Sequence, residues 1–160
     1  LGNGYPISGV LLRSGLARQA REAGLIYVQS HIDDPLGCAV ARKVVEILGR
    51  DGLVARGDRI GEALRAQVDE ARRGLGGIAE VRGRGMMNVL QVDPETSPSR
   101  LFMALLRRGY FMGLSERFHL LRAYAPLTLT EEEVRGFSSA LRQALEEEEH
   151  HAPEGSSRRP

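Results

Sequence analysis

The chain has 160 residues, 42% hydrophobic and 27% charged, with a net charge of +1. That length supports a real hydrophobic core, and the near-neutral balance supplies no strong basic field for nucleic acid or an anionic membrane. No apolar run approaches a membrane span, and the single cysteine, Cys38, excludes an intrachain disulfide and points to a reducing, cytoplasmic setting.

The first stretch, Leu1 to Ile7, carries Gly2, Gly4 and Pro6, residues suited to a sharp turn. The apolar run Ile7 to Leu12 predicts a buried strand. Ser14 to Ala23 predicts a short helix stopped by Gly24, and the β-prone Leu25-Ile26-Tyr27-Val28 predicts a second strand. A polar turn, Gln29 to Pro35, follows. Asp34 suits the N-cap of the next helix and Pro35 its first position. Leu36, Val40, Val44 and Leu48 recur at fourfold spacing along that helix, which Gly49 and Gly52 end. Another helix is expected from Leu53 to Arg72, with Ile60, Leu64 and Val68 inward and Gly57 and Gly61 weakening it. The cluster Gly74 to Gly77 is a break.

Beyond the break, Ile78–Arg82 and Met86–Val92 predict two strands around the turn Gly83-Arg84-Gly85. Ser99 to Arg108 predicts a helix with Phe102, Leu105 and Leu106 inward, and Tyr110–Met112 and His119–Tyr124 predict two more short strands. Thr130 and Glu133 form a capping box that opens the last helix, with Val134, Phe137, Leu141 and Leu145 on its buried face. From Glu146 the chain turns acidic and then rich in Ser, Arg and Pro, the composition of a disordered tail.

Three separated stretches carry a resemblance. Leu1-Gly2-Asn3-Gly4-Tyr5-Pro6 is similar to the Leu-Gly-x-Gly-Tyr-Pro segment that follows the cofactor lysine in class III aminotransferases, fold-type-I enzymes that use pyridoxal phosphate. Gln29 to Cys38 resembles that family's Thr-x-x-x-Asn-Pro-Leu-Ala/Gly-Cys, with Ser30 at the Thr position, Asp34 at the Asn, and Ile32-Asp33 where the family has Gly-Gly. Leu121 to Thr128 resembles Leu-Arg-x-x-Pro-Pro-Leu-Thr, with Ala125 in place of the first Pro. Arg82-Gly83-Arg84-Gly85-Met86 is also similar to the family's Val-Arg-Gly-x-Gly-Leu/Met.

The resemblance implies an α/β fold, the C-terminal part of a fold-type-I transferase. Residues 1–34 would trail the large domain and hold the last strands of its sheet. Residues 35–73 would be connecting helices, 74–149 a small α/β domain with an antiparallel sheet, and 150–160 a disordered tail. The cofactor lysine would stand two positions before Leu1, so the chain alone is expected to be inactive. The implied reaction transfers an amino group from an amino acid or ω-amine donor to a 2-oxo acid, with pyridoxal 5'-phosphate as cofactor. Ser30 would bind the cofactor phosphate of the neighbouring subunit in a homodimer, and Arg122 would hold a substrate carboxylate. No residue of this stretch is given a catalytic or metal-binding role. Two alternatives stay open: another enzyme of the same fold (aminomutase, decarboxylase or racemase), or a non-catalytic interaction domain if the chain is complete.

The chemistry of the residues agrees with those roles. A hydroxyl beside free backbone N–H groups suits a phosphate. A planar guanidinium binds carboxylate through two parallel hydrogen bonds. Without the resemblance, Ser30 reads as a turn serine bonded to its own backbone, and Arg122 as a strand arginine in a surface salt bridge. Lys43, the one lysine, reads as a solvated helix residue, Cys38 as a core cysteine, His31 as a turn histidine, and Arg82 and Arg84 as exposed. His150 and His151 lack the fixed geometry a metal needs.

Overall fold

The computed structural model describes residues 1–151. Of the tail expected over 150–160, residues 152–160 lie outside the described residues. Contacts divide the chain into two units, Leu1–Leu53 and the residues from Val54 onward. The first holds α1 (Ser14–Glu22) and α2 (Pro35–Arg50). The second holds α3 (Leu53–Ala71, all but its first residue), β1 (Ile78–Arg84), β2 (Met87–Val92), α4 (Pro98–Arg107), β3 (Gly113–Ser115), β4 (Leu120–Tyr124) and α5 (Glu131–His151).

In the first unit α1 ends where Gly24 turns left-handed at φ +70, and the Leu25 amide closes back on the Ala20 carbonyl at 2.9 Å. The strands expected at Ile7–Leu12 and Leu25–Val28 are absent among the described residues. A strand is stable only against a neighbour, and no neighbouring strand pairs with either stretch here. Val10, Leu11, Ile26 and Val28 stay exposed as a result. The start of α2 follows the sequence: Asp34 caps it, accepting from the Leu36 and Gly37 amides, and Pro35 occupies the first turn.

The second unit is a β-β-α-β-β-α arrangement on an antiparallel sheet in the order β1-β2-β4-β3. Alternation along the strands gives the sheet two unlike faces. Asn88, Leu90 and Val92 of β2 and Leu121 and Ala123 of β4 are buried. The apolar ones, Leu90, Val92, Leu121 and Ala123, join one core with Ile60, Leu64 and Val68 of α3, Leu101 and Leu105 of α4, and Val134, Phe137, Leu141 and Leu145 of α5. The α3 and α5 faces are those read from the sequence. On α4 the face is rotated: Leu101, Ala104 and Leu105 are buried, Phe102 is partly buried against the core, and Leu106 is exposed.

The first hairpin is longer than expected. Arg84 pairs with Met87, so the turn is Gly85-Met86, not Gly83 to Gly85. Gly85 stands at φ +52, which a two-residue hairpin turn with glycine first demands. The third strand forms at Gly113–Ser115, not Tyr110–Met112, because it is there that β3 meets β4 in register. α5 opens with the expected capping box: the Thr130 amide and hydroxyl both donate to Glu133 Oε2 at 2.7 Å, and the Glu133 amide donates to Thr130 Oγ1 at 3.2 Å. These bonds, led by the Thr130 amide, hold the Glu133 carboxyl below its usual pKa. The helix continues through the glutamates to His151, past the point where composition changes.

Candidate functional site

Two groups of residues carry the motif positions, one in each unit. The first surrounds Asp34. Gly2 to Tyr5 form a tight turn, with the Tyr5 amide bonded to the Gly2 carbonyl at 3.0 Å and Asn3 and Gly4 both at positive φ. That turn aims the Tyr5 hydroxyl at Asp34 Oδ2, to which it donates at 2.6 Å. Gly37 is the one buried residue of α2, and a Cβ there would meet Tyr5 Cε1 at 3.1 Å and Ile7 Cδ1 at 3.3 Å. The first and second motifs are therefore joined through a helix cap and a glycine contact.

Ser30 opens the turn before α2, where the Ile32 amide bonds the Gln29 carbonyl at 3.2 Å and Asp33 takes a left-handed φ of +58. Ser30 is exposed and its hydroxyl makes no hydrogen bond among the described residues, so it is not spent on its own backbone. Beside the turn is a cleft of about 680 Å³ lined by Tyr5, Gln29, His31, Asp33, Asp34 and Cys38 among others. Cys38 is exposed there, not in a core. Asp34 is held below the usual carboxylate pKa, first by the Tyr5 hydroxyl and next by the Gly37 amide. The same bond raises the Tyr5 phenol. Asp34 is thus an anion that already uses the first-turn amides of α2, and Ser30 offers a hydroxyl that nothing else uses.

The second group is on the open face of the sheet. Cross-strand register puts Arg82, Val89, Arg122 and Gly113 in one row over the four strands. Two residues further along β4, Tyr124 shares that face, its ring centroid 6.0 Å from Arg122 Cζ. Arg122 is exposed and makes no ion pair among the described residues. Several other arginines of the unit are engaged: Arg82 reaches Glu80 at 3.0 Å and Gln91 at 3.1 Å, and Arg100 reaches Glu148 at 3.0 Å, whereas Arg59, Arg84 and Arg107 share with Arg122 the lack of an ion pair among the described residues. The glycines beside Arg82 and Arg84 serve packing. A Cβ on Gly83 would lie 2.3 Å from the Met87 carbonyl oxygen.

Lys43 is on the exposed part of α2, paired with Glu46 at 2.9 Å. Among the described residues no cluster of His, Cys, Asp and Glu could hold a metal, and no helix is long and apolar enough to cross a membrane. No local pattern signals the Tyr5–Asp34 bond, which joins residues 29 positions apart. Tyr124 was legible as a neighbour of Arg122 through the alternation of a strand.

A class of protein follows from these motifs, two in the first unit and one on the sheet of the second. The aminotransferase class-III family model matches residues 1–145, and the chain belongs to that family. Ornithine aminotransferase of Emericella nidulans is 27% identical over 150 residues, covering 91% of this chain and 32% of the relative. The mitochondrial ornithine aminotransferase of Arabidopsis thaliana is 33% identical over 120 residues, covering 71% of this chain and 25% of its own. Among solved structures, the ornithine aminotransferase of Toxoplasma gondii, which shows partial occupancy of PLP at its active site, superposes with a TM-score of 0.66 and 29% identity over 74% of this chain and 28% of that one. The chain spans about a third or less of the length of the curated relatives it matches. Its α/β fold is that of the fold-type-I transaminases.

Proposed function

We propose that the chain acts within a longer, homodimeric, cytoplasmic aminotransferase that moves an amino group from an amino acid or ω-amine to a 2-oxo acid. Pyridoxal phosphate, when bound, supplies the electron sink for that transfer. Ser30 contributes a hydrogen bond to the cofactor phosphate of the partner subunit, and Arg122 grips the substrate carboxylate. The residues fit these tasks: a hydroxyl with no competing partner suits a phosphate oxygen, and an exposed guanidinium without a carboxylate suits an incoming one. The relatives act on ornithine by name, which favours an ω-amine donor.

The observation that carries the reading is Arg122. It is set in mid-sheet between Val89 and Gly113, free of any ion pair among the described residues, at the arginine of the family motif. Its test is kinetic. In an enzyme of the family's full length, Arg122→Lys keeps the charge but loses the two-pronged geometry. We expect KM for carboxylate substrates to rise with cofactor binding unchanged. Arg122→Ala removes the contact altogether, at about 2–5 kcal/mol for a charge pair left open. Unchanged KM values in Arg122→Ala would show that the carboxylate binds elsewhere.

A further inference from the structure

Gly113 stands directly across from Arg122, on the edge strand β3. Glycine is a poor strand residue, because it loses the most backbone freedom and gives nothing to pack. Here the backbone does not ask for it: the φ of Gly113 is outside the left-handed region, where only glycine is at ease. What uses the missing side chain is Arg122. A Cβ at Gly113 would come 3.1 Å from Arg122 Nε, 3.2 Å from its Cβ and 3.6 Å from Cζ. The arginine therefore runs across the glycine along the sheet surface, with the Tyr124 ring on the same face.

We infer that Gly113 is a positioning residue for Arg122, a bare shelf over which the guanidinium lies in the orientation that receives a carboxylate. The inference rests on the reading of Arg122 as the substrate contact. Its physical basis is preorganisation. A free arginine side chain has large rotamer entropy, which a bound carboxylate has to remove. Laid over Gly113, part of that freedom is already gone. A methyl at Gly113 forces the guanidinium to yield by a few tenths of an ångström, and a branched side chain lifts it off the sheet.

The test is a cycle in the full-length enzyme. Gly113→Ala and Gly113→Val suit a strand better than glycine, so Tm should hold or rise. KM for carboxylate substrates should rise at the same time, roughly tenfold for valine, since a displacement near 1 Å of a binding group can cost that or more. Cofactor affinity should not move. A merely structural glycine predicts the reverse, a lower Tm with unchanged KM. In an Arg122→Ala background the Gly113 substitutions should add nothing further to KM, because the group they displace is gone. If Arg122→Ala raises KM and neither Gly113 variant does, the shelf is refuted and the clamp stands. If Arg122→Ala leaves KM unchanged, the clamp falls and the shelf with it. Should Gly113→Val fail to fold, Gly113→Ala carries the comparison. In the 160-residue chain itself, a nuclear Overhauser contact between the Arg122 Nε proton and the Gly113 α-protons is expected. Its absence would also refute the shelf.

Discussion

Asp34 occupies the position where the family pattern has asparagine. The cap is the same with either residue, since both accept from the first-turn amides. The charge is not. Tyr5 and the Gly37 amide keep Asp34 ionised, so the turn that contains Ser30 carries a fixed negative charge at neutral pH. That charge opposes a phosphate dianion, and at a solvent-exposed site the opposition is modest and screened by salt. Asp34→Asn should therefore tighten pyridoxal phosphate roughly two- to fivefold at low ionic strength, and less at high salt. A titration showing weaker cofactor binding in Asp34→Asn at every salt concentration would contradict this. The pH dependence has a definite sign. A carboxylate whose folded pKa is depressed stabilises the fold above its unfolded value, near 3.9, and that contribution is lost as pH falls through the lower folded value. Amide protection at Leu36 and Gly37 should fail in that acidic window. In Tyr5→Phe, which removes the largest cause of the depression, the loss should begin at higher pH.

At the scale of elements, glycines decide how closely α3 meets its neighbours. From sequence, Gly57 and Gly61 read only as weak points, because propensity is local and says nothing about what lies across from a helix. Both are buried. A Cβ at Gly61 would stand 1.9 Å from the Gly85 carbonyl oxygen, so the helix touches the hairpin turn backbone to backbone. Arg65 and Asn88 complete that junction, with Arg65 Nη1 donating to Asn88 Oδ1 at 2.8 Å and Asn88 Nδ2 donating to the Gly85 carbonyl at 3.0 Å. Gly61→Ala gains up to about 1 kcal/mol of helix propensity but forces an overpacking strain of about 1–3 kcal/mol on rigid backbone. It should lower Tm. At Gly57 the obstacle is Leu127 Cδ2, 2.7 Å away at the end of a rotatable side chain. Gly57→Ala should be close to neutral. Equal losses at the two positions in thermal melts would mean that backbone contact is not what Gly61 provides. The α4 face makes a similar point. The apolar pattern predicts the helix with Phe102, Leu105 and Leu106 inward, yet Leu106 is 38% exposed while Leu101 is fully buried. Leu105→Ala should cost about 2–5 kcal/mol as a core cavity, and Leu106→Ala about 0.5 kcal/mol or less as a surface change.

At the scale of the whole molecule, what was legible depended on where the partner of each residue lies. α3 and α5 carry their periodicity within themselves, so α3 and the start of α5 were readable to within a residue or two, while α5 runs on to His151 through the glutamates read as the start of a disordered tail. Ile7–Leu12 and Leu25–Val28 have strand composition, but pairing requires another strand, and none pairs with them among the described residues. The candidate site residues Ser30 and Arg122 are named only through motif resemblance, and the role inferred for Gly113 has no sequence signal because it depends on a side chain nine residues on and one strand over. The same dependence on a partner governs Ser30. If Ser30 serves the cofactor of the neighbouring subunit in a full-length enzyme of this family, each active site takes its phosphate hydroxyl from one chain and its Schiff-base lysine from the other. Two full-length variants then separate the contributions, one without that lysine and one with a bulky residue in place of Ser30. Each homodimer should be inactive. In a mixed dimer one site collects both defects and the other collects neither. With equal amounts, half of the dimers are mixed and half of their sites are intact, so activity should return to about a quarter of wild type. The mixed dimers are verified with two affinity tags before assay. If they form and no activity returns, Ser30 works within its own subunit or not on the cofactor. Recovery near a quarter assigns it to the partner's phosphate, and the loss of cofactor affinity in Ser30→Ala, about 1.5–3 kcal/mol for one hydrogen bond to a charged group, should then appear only in the dimer.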